Sequence, residues 1–353
     1  MPRALQRWAL VVPASIGLGL LLDWVHLPAG WIIAGILPAA ACALLTGEEL
    51  RLNDVVFRFG RSTIGVLAGI PLTTVGVATL ARFIVPGLAV TAITVAITLV
   101  AGFLLYRHHR ELGVETSILS MLPGGAGAMP VMAKELGADY RYVSLSQYLR
   151  VLAVSFSLPL IAGAMLGHVE THPVTHAPPT VVGVLALLIV VAVAEPLGKL
   201  IHLPAPSILG SLLLGVVVEL ALPDPWTLYP PLLFRIAAFL MVGWMAGGSM
   251  SATALKQFAH ELPATLAVIA ILMGACAATA WPLAAVLDVS YFEGYLATTP
   301  GALDTVLALS DVGGAGPEVV TIQVIRLLVI FFIGGYLRQI IAFLGRRTDR
   351  DGN

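Results

Sequence analysis

Apolar runs alternate with short polar connections along the whole chain. They fall at about 8–22, 30–45, 60–77, 84–106 and 142–167, and again at about 180–194, 204–222, 232–250, 262–287 and 319–344. A straight membrane crossing needs roughly 20 apolar residues, so the pattern predicts ten helices of spanning type, some of them short. Pro and Gly interrupt many runs, which membrane helices tolerate when neighbours satisfy the freed backbone groups. Two further apolar segments are broken in the middle. The first, Ser117 to Met132, breaks at Pro123-Gly124-Gly125-Ala126-Gly127; the second, 294–311, breaks at Thr298-Thr299-Pro300-Gly301. Each is followed by a helix-predicting run that carries a glutamine and an arginine three residues apart: Gln147 and Arg150, then Gln323 and Arg326.

The two halves repeat one another. His26-Leu27-Pro28-Ala29 recurs as His202-Leu203-Pro204-Ala205, 176 residues later. Ala68-Gly69 matches Ala246-Gly247 at 178, Pro123 matches Pro300 at 177, and both Gln/Arg pairs match at 176. Four anchors at nearly one offset mark a duplication with a first unit at 1–170, a second at 177–345, and a short tail at 346–353.

Charge placement predicts topology, because inner loops collect Lys and Arg. Arg3 and Arg7, then Arg51, Arg58 and Arg61, then Arg107 and Arg110, then Lys134 and Arg141 belong inside, while 23–29 and 168–180 carry no Lys or Arg and belong outside. These assignments agree only if Ser117–Met132 enters and leaves on one side, as a re-entrant hairpin. In the second half Lys199, Lys256 and the terminal Arg338, Arg346, Arg347 and Arg350 belong inside, with 223–231 and 288–291 outside. Five spans plus a hairpin per unit turn the second unit upside down. A rival count, with both hairpins spanning fully, gives a parallel duplication instead.

Composition agrees with a membrane protein. Of 353 residues, 58% are hydrophobic and 11% charged, whereas a soluble domain has about 25% charged residues. Met1 to Leu22 carries Arg3 and Arg7 ahead of its apolar run, as a signal peptide would. No small-x-small cleavage site follows and Asp23 ends the run, so it reads as a first membrane helix. A net charge of -1 offers no basic face for nucleic acid. Cys42 and Cys276 form no CxxC and read as small core residues.

Chemistry concentrates at the breaks. An arginine near mid-bilayer costs at least about 2.5–3.5 kcal/mol on insertion scales, so Arg150 and Arg326 must face a polar interior with a partner. One reading has the two guanidiniums bind or gate an anion. The other has each bond the hairpin-tip carbonyls and pin the hairpin, and one arginine can do both. Gln147 and Gln323 share the helical face and either role. At the first tip Pro123, Gly124, Gly125 and Gly127 permit close backbone approach, and the half-helix beyond would aim its positive end at the tip. At the second, Thr299, Pro300 and Gly301 do the same, with Asp304 where the first tip has Gly127. Asp304 reads either as a coupling-ion or proton residue or as a helix cap. Ser120 and Thr298 could take part, although such hydroxyls more often bond their own helix. Glu195 and Glu219 read as interfacial. His168, His172 and His176 have helical metal-ligand spacing, but Pro173 interrupts that helix. Met121, Met129 and Met132 read as packing residues. No GxSxG elbow, P-loop, HExxH or coherent copper or di-iron ligand set is present, so neither enzyme nor cofactor is expected.

The tips Pro123-Gly124-Gly125-Ala126-Gly127-Ala128-Met129 and Pro300-Gly301-Ala302-Leu303-Asp304, with the Gln/Arg pairs that follow, resemble the bacterial AbrB membrane-protein family, whose members carry an AbrB duplication module twice. The family break is PGG followed by a leucine, an acid and a methionine; here the first copy has Gly127 in place of the acid and the second has Ala302 in place of a glycine. That difference argues against two equal ion sites. The resemblance implies an all-α bacterial inner-membrane protein. Family members are described as ammonia monooxygenases or as regulators of gene expression. The first label requires metal ligands that this sequence does not supply, and the second would act only indirectly, since no soluble DNA-binding domain is present.

The expectation is therefore an all-α polytopic membrane protein with about ten transmembrane helices in two inverted five-helix repeats, each with a re-entrant hairpin and both termini inside. The expected activity is secondary transport of a small anionic metabolite, with a midplane site at the hairpins. A membrane-embedded regulator using the same pocket is the alternative, ahead of a relative of ammonia monooxygenase. Expected partners are the small-molecule substrate and the bilayer, with a homodimer by analogy alone.

Overall fold

The computed structural model describes residues 3–25, 27, 30–123, 128–166, 178–203, 205–250, 252–300, 303–312 and 315–335. Among them all regular structure is helical. The first half forms α1 (Arg3–Trp24), α2 (Gly30–Thr46), α3 (Asp54–Thr73), α4 (Val77–Arg82), α5 (Ile84–His108), α6 (Val114–Met121), α7 (Ala128–Leu136) and α8 (Tyr140–Leu166), with a 3-10 turn at Arg110–Leu112. The second forms α9 (Val181–Leu200), α10 (Pro206–Ala221), α11 (Leu232–Gly248), α12 (Ala252–Gln257), α13 (Leu262–Leu287), α14 (Tyr291–Thr298), α15 (Leu303–Val312) and α16 (Pro317–Gly335). The order of long, short and half-length helices is the same in both. The apolar runs all became helices; the two short helices α4 and α12 carry no sustained apolar period and were not foreseen. Both broken segments are pairs of half-helices, α6 with α7 and α14 with α15.

Helix starts follow local chemistry. Asn53 and Thr180 accept amides at the starts of α3 and α9, and Ser290 with Glu293 forms a capping box on α14. Five helical stretches are long and apolar enough to cross a membrane: Gln6–Trp24, Asp54–Thr73, Val77–His108, Val181–Leu200 and Leu262–Leu287. Three shorter apolar helices, α2, α10 and α11, accompany them. The protein is an all-helical membrane protein.

The halves pack by exchange. α2 lies mainly on α11, and α3 mainly on α10. Ser62 Oγ donates to Ser207 O at 3.1 Å. A Cβ on Gly65 would fall 2.5 Å from Ile208 O, and one on Gly69 2.9 Å from Leu212 O, so α3 and α10 run parallel. In the other pair a Cβ on Gly243 would fall 2.3 Å from Ile32 O and one on Gly247 2.2 Å from Ile36 O, so α2 and α11 run parallel as well. Both contacts use a small-xxx-small spacing that lets backbones meet where lipid offers no hydrophobic drive between helices. The corresponding helices α5 and α13, by contrast, run antiparallel. His109, just after α5, stacks edge-on with His260 at 5.5 Å just before α13, while Thr94 of α5 lies beside Cys276 further along α13. The largest buried core draws on helices of both halves, from Ile32 and Ile64 to Leu307 and Ile330's neighbour Ile322.

Ionic contacts gather at one end of the bundle. Arg7 pairs with Glu48 at 2.5 Å, and Glu195 is held by Arg58 at 3.0 Å and Lys199 at 2.5 Å. Glu219 accepts from Thr227 Oγ1 at 2.7 Å and Leu228 N at 2.6 Å. Arg235 donates to the Tyr229 hydroxyl at 2.6 Å.

The glycine contacts give a direct test. Gly243→Leu and Gly247→Leu should each lower the thermal midpoint of the purified protein, at a cost of at least about 1–3 kcal/mol from overpacking. Gly274→Leu should leave it unchanged, because no atom lies within 4 Å of a Cβ at Gly274.

Candidate functional site

A helix that stops leaves its last four carbonyls without intrahelical partners. At membrane depth each costs several kcal/mol unless something donates to it. α6 stops at Met121 ahead of Pro123, and α14 stops at Thr298 ahead of Pro300. Proline supplies no amide to continue either helix. Both stops therefore need donors from elsewhere, and the next long helix supplies them.

In the first half, Gln147 Nε2 donates to Leu119 O at 2.9 Å, Leu122 O at 2.9 Å and Ser120 O at 3.4 Å. Arg150 donates to Met121 O at 3.0 Å and Leu122 O at 3.3 Å, and its other terminal nitrogen also reaches Gln147 Oε1 at 2.5 Å. The second half repeats the arrangement. Gln323 Nε2 donates to Leu296 O at 2.6 Å, Ala297 O at 3.3 Å and Thr299 O at 3.5 Å. Arg326 donates to Thr298 O at 3.3 Å, to Thr299 O, and to Gln323 Oε1. Spacing of i and i+3 puts each Gln and Arg on one face, so the amide oxygen orients the guanidinium while both groups cap the same helix end. All four side chains are buried. The arginines sit as the eleventh residue of α8 and the tenth of α16, deeper than the apolar runs alone indicated.

Magnitudes favour burial here. Each guanidinium makes three charge-assisted bonds, each worth about 1.5–3 kcal/mol. The negative end of a half-helix dipole adds a further favourable term for a cation. Together these offset the insertion cost of about 2.5–3.5 kcal/mol. The capping reading of the arginines is thus visible in the geometry, and it does not use them up. A guanidinium has five N–H donors, and Arg150 Nε has no partner.

The space between the two caps is polar and positively charged. Arg150 and Arg326 lie within each other's electrostatic field, and the Cys276 thiol of α13 is within reach of both. Among the described residues no carboxylate pairs with either arginine. Thr94 of α5 lies beside Cys276, and Thr91 is one turn away on the same helix; both hydroxyls are buried and unpartnered. Thr299 Oγ1 is buried beside the Tyr295 hydroxyl without reaching hydrogen-bond geometry. Thr298 is satisfied, donating to Cys276 O at 2.9 Å and Gly294 O at 3.0 Å, and Ser120 donates to Ser117 O at 2.8 Å. Ser155 of α8 and Thr305 of α15 share a hydrogen bond at 2.8 Å, which ties the first half's arginine helix to the second half's hairpin.

Of the residues expected at the site, Gln147, Arg150, Gln323, Arg326, Pro123, Thr299 and Pro300 are brought together on the two breaks. Gly124, Gly125, Gly127 and Gly301 lie outside the described residues, as do the side chain of Asp304 and His168, His172 and His176. Met121 and Met129 are core residues, as expected from packing. Sequence reasoning missed Thr91, Thr94 and the position of Cys276. Two threonines at i and i+3 in the most apolar long helix were the available signal for the first two. Among the described residues no group of three or more His, Cys, Asp or Glu could hold a metal ion.

A family model described as "Transition state regulatory protein AbrB" matches residues 31–342. The chain belongs to the AbrB family. "Putative regulator AbrB" of Escherichia coli (strain K12) is 30% identical over 347 residues, covering 95% of this chain and 97% of that protein. "Uncharacterized protein YhjN" of Bacillus subtilis (strain 168) is 24% identical over 229 residues, covering 60% of this chain and 59% of that protein. The first relative's name is that of a regulator and not of an enzyme. The matched residues of the AbrB model include both half-helix breaks and both Gln/Arg pairs.

The caps can be tested by stability. Arg150→Met and Arg326→Met should each cost roughly 3–5 kcal/mol, the penalty for orphaning buried charged-bond partners. Arg→Lys should recover only part of this, since a single ammonium cannot reproduce the planar fork. Thermal unfolding of the detergent-solubilised variants reads both.

Proposed function

We propose that this AbrB-family chain is a secondary transporter of a small anionic metabolite. Its site lies where the two half-helix breaks meet, near mid-membrane. One observation carries the reading: two buried guanidiniums face the same interior without a carboxylate partner among the described residues, beside unpartnered donors on Arg150, Thr91, Thr94 and Thr299. A solute with its own negative charge matches that set, and a cation does not. The helix caps hold the guanidiniums in place before any solute arrives, so little ordering is needed on binding.

The inverted-repeat topology belongs to the same proposal. Its support is directional: α3 with α10 and α2 with α11 run parallel while α5 and α13 run antiparallel. A unit turned upside down relative to its copy has those directions; a parallel duplication would reverse them. The contacts of Arg7 with Glu48 and of Arg58 with Glu195 and Lys199 join residues that charge placement assigns inside. Ten spans, with α6–α7 and α14–α15 as re-entrant hairpins, complete the plan. Two such repeats can rock against each other around a fixed midplane site. Asp304, on α15 just past the second break, is the proposed coupling residue. An inner-membrane location with inner termini follows from the same charge bias.

The relative named as a regulator supports a second reading, in which the same pocket senses an anion without moving it. The arginine variants cannot separate these readings because they disturb the caps. Thr94→Val and Thr91→Val can, since neither hydroxyl has a structural bond to lose. Small carboxylates and inorganic phosphate should be screened by thermal shift on wild type, where an anion at 100 times its Kd adds about 2.7 kcal/mol. The Thr94→Val midpoint without ligand should match wild type, and its shift with ligand should fall at least about tenfold in apparent affinity, the equivalent of about 1.4 kcal/mol. Counterflow in proteoliposomes with the same anion supports transport; binding without flux favours the sensor; no shift with any anion removes the anion site.

A further inference from the structure

Glu318 stands at the second position of α16, five residues before Gln323. It is 6% exposed, and its Oε1 has no donor in the structure. The neighbouring carboxyl is Glu293 of α14, within hydrogen-bond reach. Glu293 Oε2 accepts from Ser290 N at 2.8 Å and Ser290 Oγ at 2.7 Å, and its Oε1 accepts from Gly316 N at 3.4 Å. Glu318 closes on the same backbone: a Cβ on Gly316 would fall 2.5 and 2.6 Å from its two oxygens. The two acids therefore converge on one peptide unit from opposite sides.

No cation neutralises them. Arg82, at the end of α4, which packs on α16, pairs with neither, and Asp288 after α13 adds no positive charge. Tyr291 and Tyr295 are the other titratable groups of α14. The charged residues of α3, α5 and α7 that lie on elements touching α16 belong to the opposite end, marked by the Arg58–Glu195 pair and the His109–His260 contact. Asp304 and Asp311 of α15 have side chains outside the described residues. Two carboxylates in one shielded place cannot both stay ionised, and a proton held between them supplies the donor that Glu318 Oε1 otherwise lacks.

The first half has the same contact without the acids. There Thr116 Oγ1 accepts from Asp139 N at 3.0 Å, and Thr116 and Asp139 stand 177 residues before Glu293 and Gly316. The residue 177 before Glu318 is Arg141, which is exposed. A neutral hydroxyl joins the hairpin to the arginine helix in one half, and a carboxyl pair does so in the other.

We infer that Glu293 and Glu318 form a proton-binding site that latches α14 to α16 and makes the second hairpin, but not the first, responsive to pH. With the proton in place the pair is a short neutral–anionic hydrogen bond across the contact between these helices. Loss of the proton as pH rises puts two like charges on opposite sides of it. The same contact carries the Gln323 and Arg326 cap, so the proton bears on how firmly the second break is held. The proton site stands on this geometry alone; coupling the proton to solute movement would rest on the transport reading.

Infrared titration of the purified protein in detergent tests it. Wild type should keep one protonated carboxyl at neutral pH, seen as a carboxylic-acid carbonyl band that disappears as pH is raised. Glu318→Gln and Glu293→Gln should each remove that band. Gly316→Ala should remove it too while leaving both acids in the chain, because the new methyl displaces the flexible Glu318 carboxyl. Absence of such a band in wild type overturns the inference, and so does a band that persists unchanged in all three variants. These readings need no solute, so they stand or fall separately from transport.

Discussion

The rest of this fold depends on how two interrupted helices dispose of their terminal carbonyls. In water a helix end is solvated and nearly free of cost. At membrane depth it is not, and a break such as the one at Pro123 or Pro300 survives only with donors delivered to it. Gln147 with Arg150, and Gln323 with Arg326, deliver those donors from the following helix. The requirement explains why an arginine is tolerated inside an apolar segment at all. It also explains why the arginine arrives with a glutamine three residues earlier, since one side chain alone covers too few carbonyls.

Capping the breaks has an electrostatic consequence. Helix C-termini attract cations but carry only about half an elementary charge each. Two full positive charges set against two half charges leave a net positive interior, and nothing among the described side chains balances it. Hydroxyls of Thr91, Thr94 and Thr299 remain around it with hydrogen-bonding capacity to spare. The structural device and the binding device are thus the same residues, and capping need not compete with binding. A guanidinium can do both because its five donors point along several directions in one plane.

Packing between the halves places the two caps opposite each other. Gly65 and Gly69 on α3, and Gly243 and Gly247 on α11, bring backbones of opposite halves into contact. The core is therefore shared rather than divided. The two halves nonetheless differ where it counts for chemistry. Thr116 is replaced by Glu293 and Arg141 by Glu318, so an arrangement alike in backbone is charged and titratable on one side alone.

Much of this could be read from the sequence. The apolar runs located nearly every helix, the common offset of about 176–178 residues exposed the duplication, and an arginine and glutamine in matching apolar runs pointed to the breaks they serve. Those features are local or periodic, and a linear pattern records them. The sequence could not say which carbonyls Arg150 and Arg326 would meet, because both the capping and the anion-binding readings need the same residue types at the same spacing. It gave no sign that Cys276, Thr91 and Thr94 would lie beside the arginines, since a cysteine or threonine in an apolar run is ordinary. Nor did it mark Glu293 and Glu318, which stand 25 residues apart on different helices and become a pair only when α14 folds back on α16. Composition and periodicity determined that this chain is a duplicated helical membrane protein with two costly breaks. Which groups share a dielectric environment depends on distances across helices, and only the tertiary structure decided those.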